Sequence, residues 1–262
     1  MSYPTIGFIG AGTIASALAT AFCQDQSRPY PILLSPRNAE KAAALRERFP
    51  ERIHIAGSMQ EVVDGADWVF ITVLPQVGEE VCRSLRFRQE QKVINLMTDI
   101  NLPQIAEWIG PTALLAHLVP LSFVAVRRGP IILYPPLEEA IELIQPIGDV
   151  VAVDDRYHAA VLAAVTAYVA SYFTLTQQTV DWAASLGVPL DTAKDYTTRM
   201  FAALAGQAVD ATPQRLRELA EEMTPGGINY MVQQYINDKQ AFAPWTEAME
   251  AVMTRLCKNI PH

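Results

Sequence analysis

Gly10 and Gly12, with Ala15 three residues on, are the first residues of the chain whose types and spacing point to chemistry. They follow a short apolar run, Ile6 to Ile9, and precede an alanine-rich segment that favours a helix. Such a turn needs glycine twice. At Gly10 it permits a tight exit from a strand, and at Gly12 the missing side chain lets a pyrophosphate reach the backbone. Ala15 allows the helix to sit close on the strand. Unpaired N–H groups at the helix start, at the positive end of the helix dipole, would then hold the phosphates. A plain tight turn uses the same glycines, but a strand before and a helix after are the context a dinucleotide site requires.

A second group lies where the next strand should end. Residues 30–35 read as that strand, and sites for NAD place an acid after it to bind the ribose 2′-hydroxyl. This chain has Ser35-Pro36-Arg37-Asn38, with Lys41 one turn into the following helix. A hydroxyl, a guanidinium and an ammonium suit a 2′-phosphate, so the expected cofactor is NADP (NADPH). The competing reading is a solvated helix start. Two further loops, Leu74-Pro75-Gln76 and Met97-Thr98, follow apolar runs at 68–73 and 92–97. In parallel sheets ligands bind at such strand ends. The expected cofactor-binding set is therefore Gly10, Gly12, Thr13, Ile14, Ser35, Arg37, Leu74, Pro75, Met97 and Thr98.

The third group is Thr224-Pro225-Gly226-Gly227-Ile228-Asn229. Two glycines turn the chain after one helix, and residues 228–236 resume helical spacing. Backbone N–H groups at that new start suit a carboxylate without any cationic side chain, and a simple helix–helix turn is the alternative. Gly226, Gly227, Ile228 and Asn229 are the candidate substrate-binding residues. Thr224 and Asn229 are the clustered neutral polar side chains of the turn, and Tyr168 offers a hydroxyl from the preceding long helix. These three are the candidate catalytic groups.

The elements that must position these groups follow from periodicity. Short apolar runs at Ile6–Ile9, 30–35, Ile53–Ile55, 68–73, 92–97, Leu114–Val119 and 129–134 alternate with helical segments. That alternation predicts an N-terminal Rossmann-type doubly wound α/β domain over 1–153. His54 is expected on a sheet edge. From 154 to 262 the strand-like runs stop, and an all-helical dimerisation domain is expected. Residues 156–186 read as one long helix that is apolar on most faces and so must be buried on most faces. The rest of the second half is too small to wrap it, so a second subunit is expected there. Asp191 is expected to cap the next helix, which runs to 209. Thr212-Pro213 is expected to start another, running to 223, and 244–256 reads as the last.

Half the residues are apolar and 18% are charged, which is ordinary for a soluble globular protein. The net charge of −8, with no basic cluster to offset it, argues against a nucleic-acid partner. Cys23, Cys82 and Cys257 are far apart, with no CxxC or Cys/His spacing, so no metal site is expected and buried free thiols are. The first strand begins almost at once with no basic leader, so no signal peptide is expected. The longest nearly apolar stretch, 159–173, includes Thr166 and Ser171 and falls short of the roughly 20 residues of a membrane span. A cytoplasmic protein with no membrane partner is expected.

Together these segments resemble the pyrroline-5-carboxylate reductase family along almost the whole chain. The matching stretches are Gly10-Ala11-Gly12-Thr13-Ile14-Ala15-Ser16-Ala17, Ser35-Pro36-Arg37 with Glu40-Lys41, and the strand ending at Pro75-Gln76. In the second half they are Ala184-Ser185-Leu186-Gly187-Val188 and Pro225-Gly226-Gly227. The resemblance implies an NAD(P)-binding domain followed by a helical dimerisation domain, in a homodimer or larger homo-oligomer. It implies reduction of a cyclic imine, 1-pyrroline-5-carboxylate, to proline, hence a small carboxylate-bearing imine as substrate. It also implies pyrophosphate at Gly10 to Ala15, the 2′-phosphate at Ser35 and Arg37, and the substrate carboxylate in the loop after Gly227. The chain departs from the family on the substrate side. Leu74-Pro75 stands for Lys-Pro, and Val119-Pro120-Leu121 for Met-Pro-Asn, with His117 near the place of an arginine. Thr166-Ala167-Tyr168-Val169-Ala170 stands for Gly-Ser-Gly-Pro-Ala, and Ile228-Asn229 for two threonines.

Two rivals share parts of this pattern. A dehydrogenase acting on another small acid needs a proton-shuttling group, usually a lysine on the long helix, and 156–186 contains none. A protonated C=N is already electrophilic, so imine reduction asks mainly for positioning and exclusion of water. The other rival is a non-catalytic NADP-binding or sensor protein, to which the altered substrate loop points.

Overall fold

The strands of the first half are apolar on both sides, and the chain packs helices on both faces of the sheet they form. A computed structural model describes residues 3–257. The described chain divides into two compact units, one comprising residues up to Ala163 and from Arg255 on, the other Ala164–Thr254.

In the first unit the order is β1 (Ile6–Ile9), α1 (Thr13–Gln24), β2 (Ile32–Leu34), α2 (Ala39–Arg48), β3 (Ile53–Ile55), α3 (Met59–Gly65), β4 (Trp68–Ile71) and α4 (Pro75–Ser84). It continues with β5 (Lys92–Asn95), α5 (Leu102–Ile109), β6 (Leu114–Val119), β7 (Pro130–Tyr134), α6 (Glu138–Ile144), β8 (Asp149–Ala152) and the start of α7 (Arg156–Val165). The strands form one sheet in the order β3-β2-β1-β4-β5-β6-β7-β8. All pairs are parallel except β6 with β7. The order reverses between β1 and β4, which opens a crevice at their C-terminal ends.

Alternate residues of the same strand belong to different cores, as the two-residue period demands. Ile6, Phe8, Phe70 and Ile94 pack with α1, α2 and α6. Ile9, Val69, Ile71 and Val93 pack with α3, α4 and α5 on the other face. All four residues of β4 are buried, as expected for a strand covered on both sides. His54 is exposed on the edge strand β3. The expected strand at 30–35 shortens to β2, and Ser35 after it enters the site described below. Residues 138–152, which periodicity assigns to no element, form α6 and β8. Cys23 and Cys82 are buried free thiols, each pushed up to about 11 by burial and so held as unreactive thiols at neutral pH.

The second unit is helical: the end of α7, then α8 (Val169–Ser185), α9 (Leu190–Val209), α10 (Pro213–Glu221), α11 (Ile228–Asp238) and most of α12 (Ala243–Leu256). A short 3-10 turn, Thr166–Tyr168, separates α7 from α8 within the expected single helix. Pro189, not Asp191, occupies the N-cap of α9, and Asp191 falls in its first turn, where its charge still suits the helix dipole. Thr212 caps α10 as expected, its hydroxyl accepting the Arg215 N–H at 3.2 Å, with Pro213 following.

Taken as a whole, Arg156–Ser185 is long and apolar enough to cross a membrane by length and composition, with a mean hydropathy of 1.6 in its most apolar window. The helix runs on past the nearly apolar stretch 159–173 through Thr174, Thr176 and Thr179. Each turns its hydroxyl back onto the carbonyl four residues earlier, at 2.8–3.0 Å, which masks its polarity. Only Ala164, Val180, Ala193 and Thr197 of the second unit are buried, while Phe173, Trp182 and Leu186 are each more than 60% exposed. Four small or medium buried side chains are too few to hold a helical unit of this size unaided.

Candidate functional site

The turn after β1 is held from both neighbouring strands. Gly10 sits at φ +105°, where a side chain is strained, and an added Cβ would lie 2.9 Å from the Thr72 carbonyl oxygen. Its N–H donates to Ser35 Oγ at 2.9 Å, and the Thr72 hydroxyl donates at 2.9 Å toward the carbonyls of Ile9 and Gly10. Ser35 is fully buried. Its oxygen shapes the turn by accepting that N–H, while Pro36, Arg37 and Asn38 beyond it are exposed.

Gly12 is the N-cap of α1, with no side-chain cap and no acid in the first turn. The first helical N–H to find a carbonyl is that of Ser16, which bonds Gly12. The N–H groups of Thr13, Ile14 and Ala15 thus have no helical acceptor. Nothing lies within 4 Å of the Cβ position of Gly12, so an anion can approach the backbone there. Lys41 Nζ donates to Thr13 Oγ1 at 3.2 Å, which brings an ammonium to the same helix start. Donors, an open approach and an ammonium at one place, with Arg37 exposed and no acid between Ser35 and Ala39, fit a dinucleotide carrying a 2′-phosphate.

At the ends of β4 and β5 the expected residues divide. Leu74 is 71% exposed as the N-cap of α4, with Pro75 in the first turn. Thr98 is exposed, but Met97 is buried, its sulfur against the backbone of Gly78. Asn95 is fully buried and ties this loop together. Its Oδ1 accepts the Met97 N–H at 3.0 Å, and its Nδ2 faces the carbonyls of Met97 and Ile100 and Nδ1 of His117, the last at 3.1 Å. Burial first, and then the nearby Arg156 charge, push His117 down to about 4, so its ring is neutral at physiological pH. Thr72 and Asn95 were not among the residues expected from sequence. The available signal is a polar side chain at the end of a fully apolar strand, which has to find partners inside.

The second unit holds the other candidates. Gly226 is at φ +73°, and the Gly227 N–H donates to Thr224 O at 2.8 Å, closing the turn. Gly227 is the N-cap of α11, again without a side-chain cap, and the Met231 N–H is the first to bond back to it. The free donors of this start are therefore the N–H groups of Ile228, Asn229 and Tyr230, not that of Gly227. Thr224, Ile228 and Asn229 are exposed. The Tyr168 hydroxyl donates to the Trp245 carbonyl at 2.7 Å, and the two rings pack 4.9 Å apart. Its proton is thus engaged in helix packing.

Residues 5–99 match a protein family described as NADP oxidoreductase, coenzyme F420-dependent. A pyrroline-5-carboxylate reductase of Pseudomonas aeruginosa is 28% identical over 229 residues, which is 83% of each chain. The structure of 1-pyrroline-5-carboxylate reductase from Streptococcus pyogenes superposes with a TM-score of 0.83 at 19% identity, covering 97% of this chain and 98% of that one. Pyrroline carboxylate reductase of Plasmodium falciparum, solved with NADP bound, gives 0.80 at 14% identity, covering 98% of both. On sequence and fold together, the chain is similar to pyrroline-5-carboxylate reductases over most of its length.

Proposed function

We propose that the chain is an NADPH-dependent reductase that converts 1-pyrroline-5-carboxylate to proline, the last step of proline biosynthesis. In this reading residues 1–153 bind the cofactor and residues 154–262 supply dimerisation and substrate binding. NADPH, when bound, supplies the hydride that reduces the C=N carbon, and the imine nitrogen carries the proton. The chain's own residues bind and orient. The first-turn N–H groups of α1 hold the pyrophosphate, and Arg37 with Lys41 neutralises the 2′-phosphate. Leu74, Pro75 and Thr98 line the way to the reacting ring. The N–H groups that begin α11, with Thr224 and Asn229 beside them, orient the substrate carboxylate. A soluble, cytoplasmic homodimer or larger homo-oligomer accounts for the exposed apolar side chains of α8.

The observation that carries this reading is the uncapped start of α1 with Lys41 on it, in a chain that matches a pyrroline-5-carboxylate reductase over 83% of its length. The test is NADPH oxidation by the purified protein with and without 1-pyrroline-5-carboxylate, with proline measured as product. Substrate-dependent oxidation that yields proline is expected. The engaged Tyr168 hydroxyl and the absence of the family's threonines after Gly227 favour a second reading, a non-catalytic NADP-binding protein. Tight NADPH binding without turnover on this or another cyclic imine would establish that reading instead.

A further inference from the structure

The loop between β5 and α5 is fixed from inside by one side chain. Asn95, fully buried at the end of β5, accepts the Met97 N–H on Oδ1 at 3.0 Å. Its Nδ2 donates to the carbonyls of Met97 at 3.3 Å and Ile100 at 3.2 Å. The Ile100 N–H bonds the Met97 carbonyl at 3.1 Å, which closes a β-turn with Thr98 and Asp99 at its tip. Asn101 and Gln104 then exchange the two hydrogen bonds of a capping box that starts α5. Of the two tip residues, Asp99 pairs with Arg255 at 3.0 Å. Thr98 is exposed, and among the described residues neither its N–H nor its hydroxyl has a hydrogen-bond partner.

We propose that Asn95 is a positioning residue for the cofactor: through the turn it builds, it holds the Thr98 hydroxyl where it meets the carboxamide of the nicotinamide. The inference rests on the reading of α1 as the pyrophosphate site and Arg37 as the 2′-phosphate site. With the 2′-phosphate beyond β2, the other end of the dinucleotide lies across β4 toward β5, since the sheet runs β2-β1-β4-β5 and ligands bind at the C-terminal ends of its strands. β5 pairs in parallel with β4, Ile71 opposite Asn95, so the turn at 97–100 stands at that edge. The nicotinamide ring carries one hydrogen-bonding substituent, a carboxamide that both donates and accepts, and a hydroxyl meets either need. Leu74 and Pro75, at the end of β4, have no polar side-chain atom to offer it. A threonine on a loose loop would lose backbone and rotamer freedom on binding, and in a turn already fixed by a buried carboxamide much of that loss has occurred on folding.

The test is a double-mutant cycle on the NADPH affinity of the full-length protein, read from the fluorescence of the bound reduced nicotinamide. Adenosine 2′,5′-bisphosphate, which lacks the nicotinamide, is the calorimetric control. Thr98→Val and Asn95→Ala should each weaken NADPH by about fivefold, the scale of one hydrogen bond, and leave the bisphosphate within about twofold. In the Thr98→Val background, Asn95→Ala should weaken NADPH by less than about twofold more, because the contact it positions is already gone. If Asn95→Ala fails to fold, Asn95→Ser runs the same cycle: its hydroxyl can accept the Met97 N–H but is too short to reach Ile100 as well, and its loss should again vanish with Thr98→Val. The proposal is overturned if Thr98→Val binds NADPH as the parent does, if the two losses add, or if either variant weakens the bisphosphate as much as NADPH. A parent that does not bind NADPH overturns the cofactor reading and this proposal with it, a result distinct from additive losses in a protein that binds.

Discussion

Acidification should destabilise this protein through one histidine. His117 is pushed down from 6.5 to about 4 in the folded chain, by burial first and by the charge of Arg156 second. The sign follows from which state takes the proton. Above pH 6.5 the ring is neutral in both states and contributes nothing to the pH dependence. Between 6.5 and about 4 the unfolded chain is protonated and the folded chain is not, so each step down favours unfolding. Below about 4 the loss is complete. At about 1.4 kcal/mol per pH unit, the full loss is roughly 3 kcal/mol, and about 2 kcal/mol of it should be spent between pH 7 and pH 5. The perturbation is His117→Gln, which keeps an acceptor for Asn95 Nδ2 but cannot titrate. The assay is urea unfolding followed by circular dichroism at pH 7, 6 and 5, both proteins at one concentration so that any association cancels. Carboxylates such as Asp195 and Glu222, held low by Arg199 and Arg215, titrate alike in both proteins. The parent should therefore lose about 2 kcal/mol more than the variant between pH 7 and pH 5. Parallel losses would refute the assignment of a buried, neutral ring.

Replacing Arg37 with Ala should weaken NADPH binding by about 1–3 kcal/mol and leave NADH nearly unchanged, and equal losses for both cofactors would remove Arg37 from the 2′-phosphate. Ser35→Ala should behave differently: it strips the acceptor from the buried Gly10 N–H, lowering stability by about 1–3 kcal/mol and binding of NADPH and NADH alike. A selective loss of NADPH in that variant would contradict the structural role. Gly227→Val places a Cβ about 3.0 Å from the Thr224 carbonyl oxygen and should raise KM for the imine steeply while NADPH affinity holds. Unchanged turnover there would put the substrate site elsewhere. Sedimentation at micromolar concentration should reveal no folded monomer, and a well-behaved monomer would refute the argument from the sparse core of the second unit.

The fold of the first unit was legible because its physics is local and periodic. Apolar runs of three to six residues separated by helical spacing leave few topologies, and the glycines at 10 and 12 mark which strand comes first. The candidate site was legible only where a residue type admits one use. Ser35 shows the limit. A serine after β2, near Arg37 and Lys41 in sequence, has the chemistry to bind a phosphate, but its buried oxygen also accepts the Gly10 N–H across the adjacent strand, a part in the turn that no local pattern shows. Asn95 shows the converse, a residue that periodicity treats as the tail of an apolar strand but whose carboxamide organises residues 97–100 and reaches the His117 ring. The Ser35–Gly10 and Asn95–His117 contacts join residues 25 and 22 positions apart, which no local pattern encodes. The same reasoning explains why the second unit is the less legible half. Its helices follow from spacing and from Thr212-Pro213, but what its exposed apolar side chains pack against is absent from the described chain.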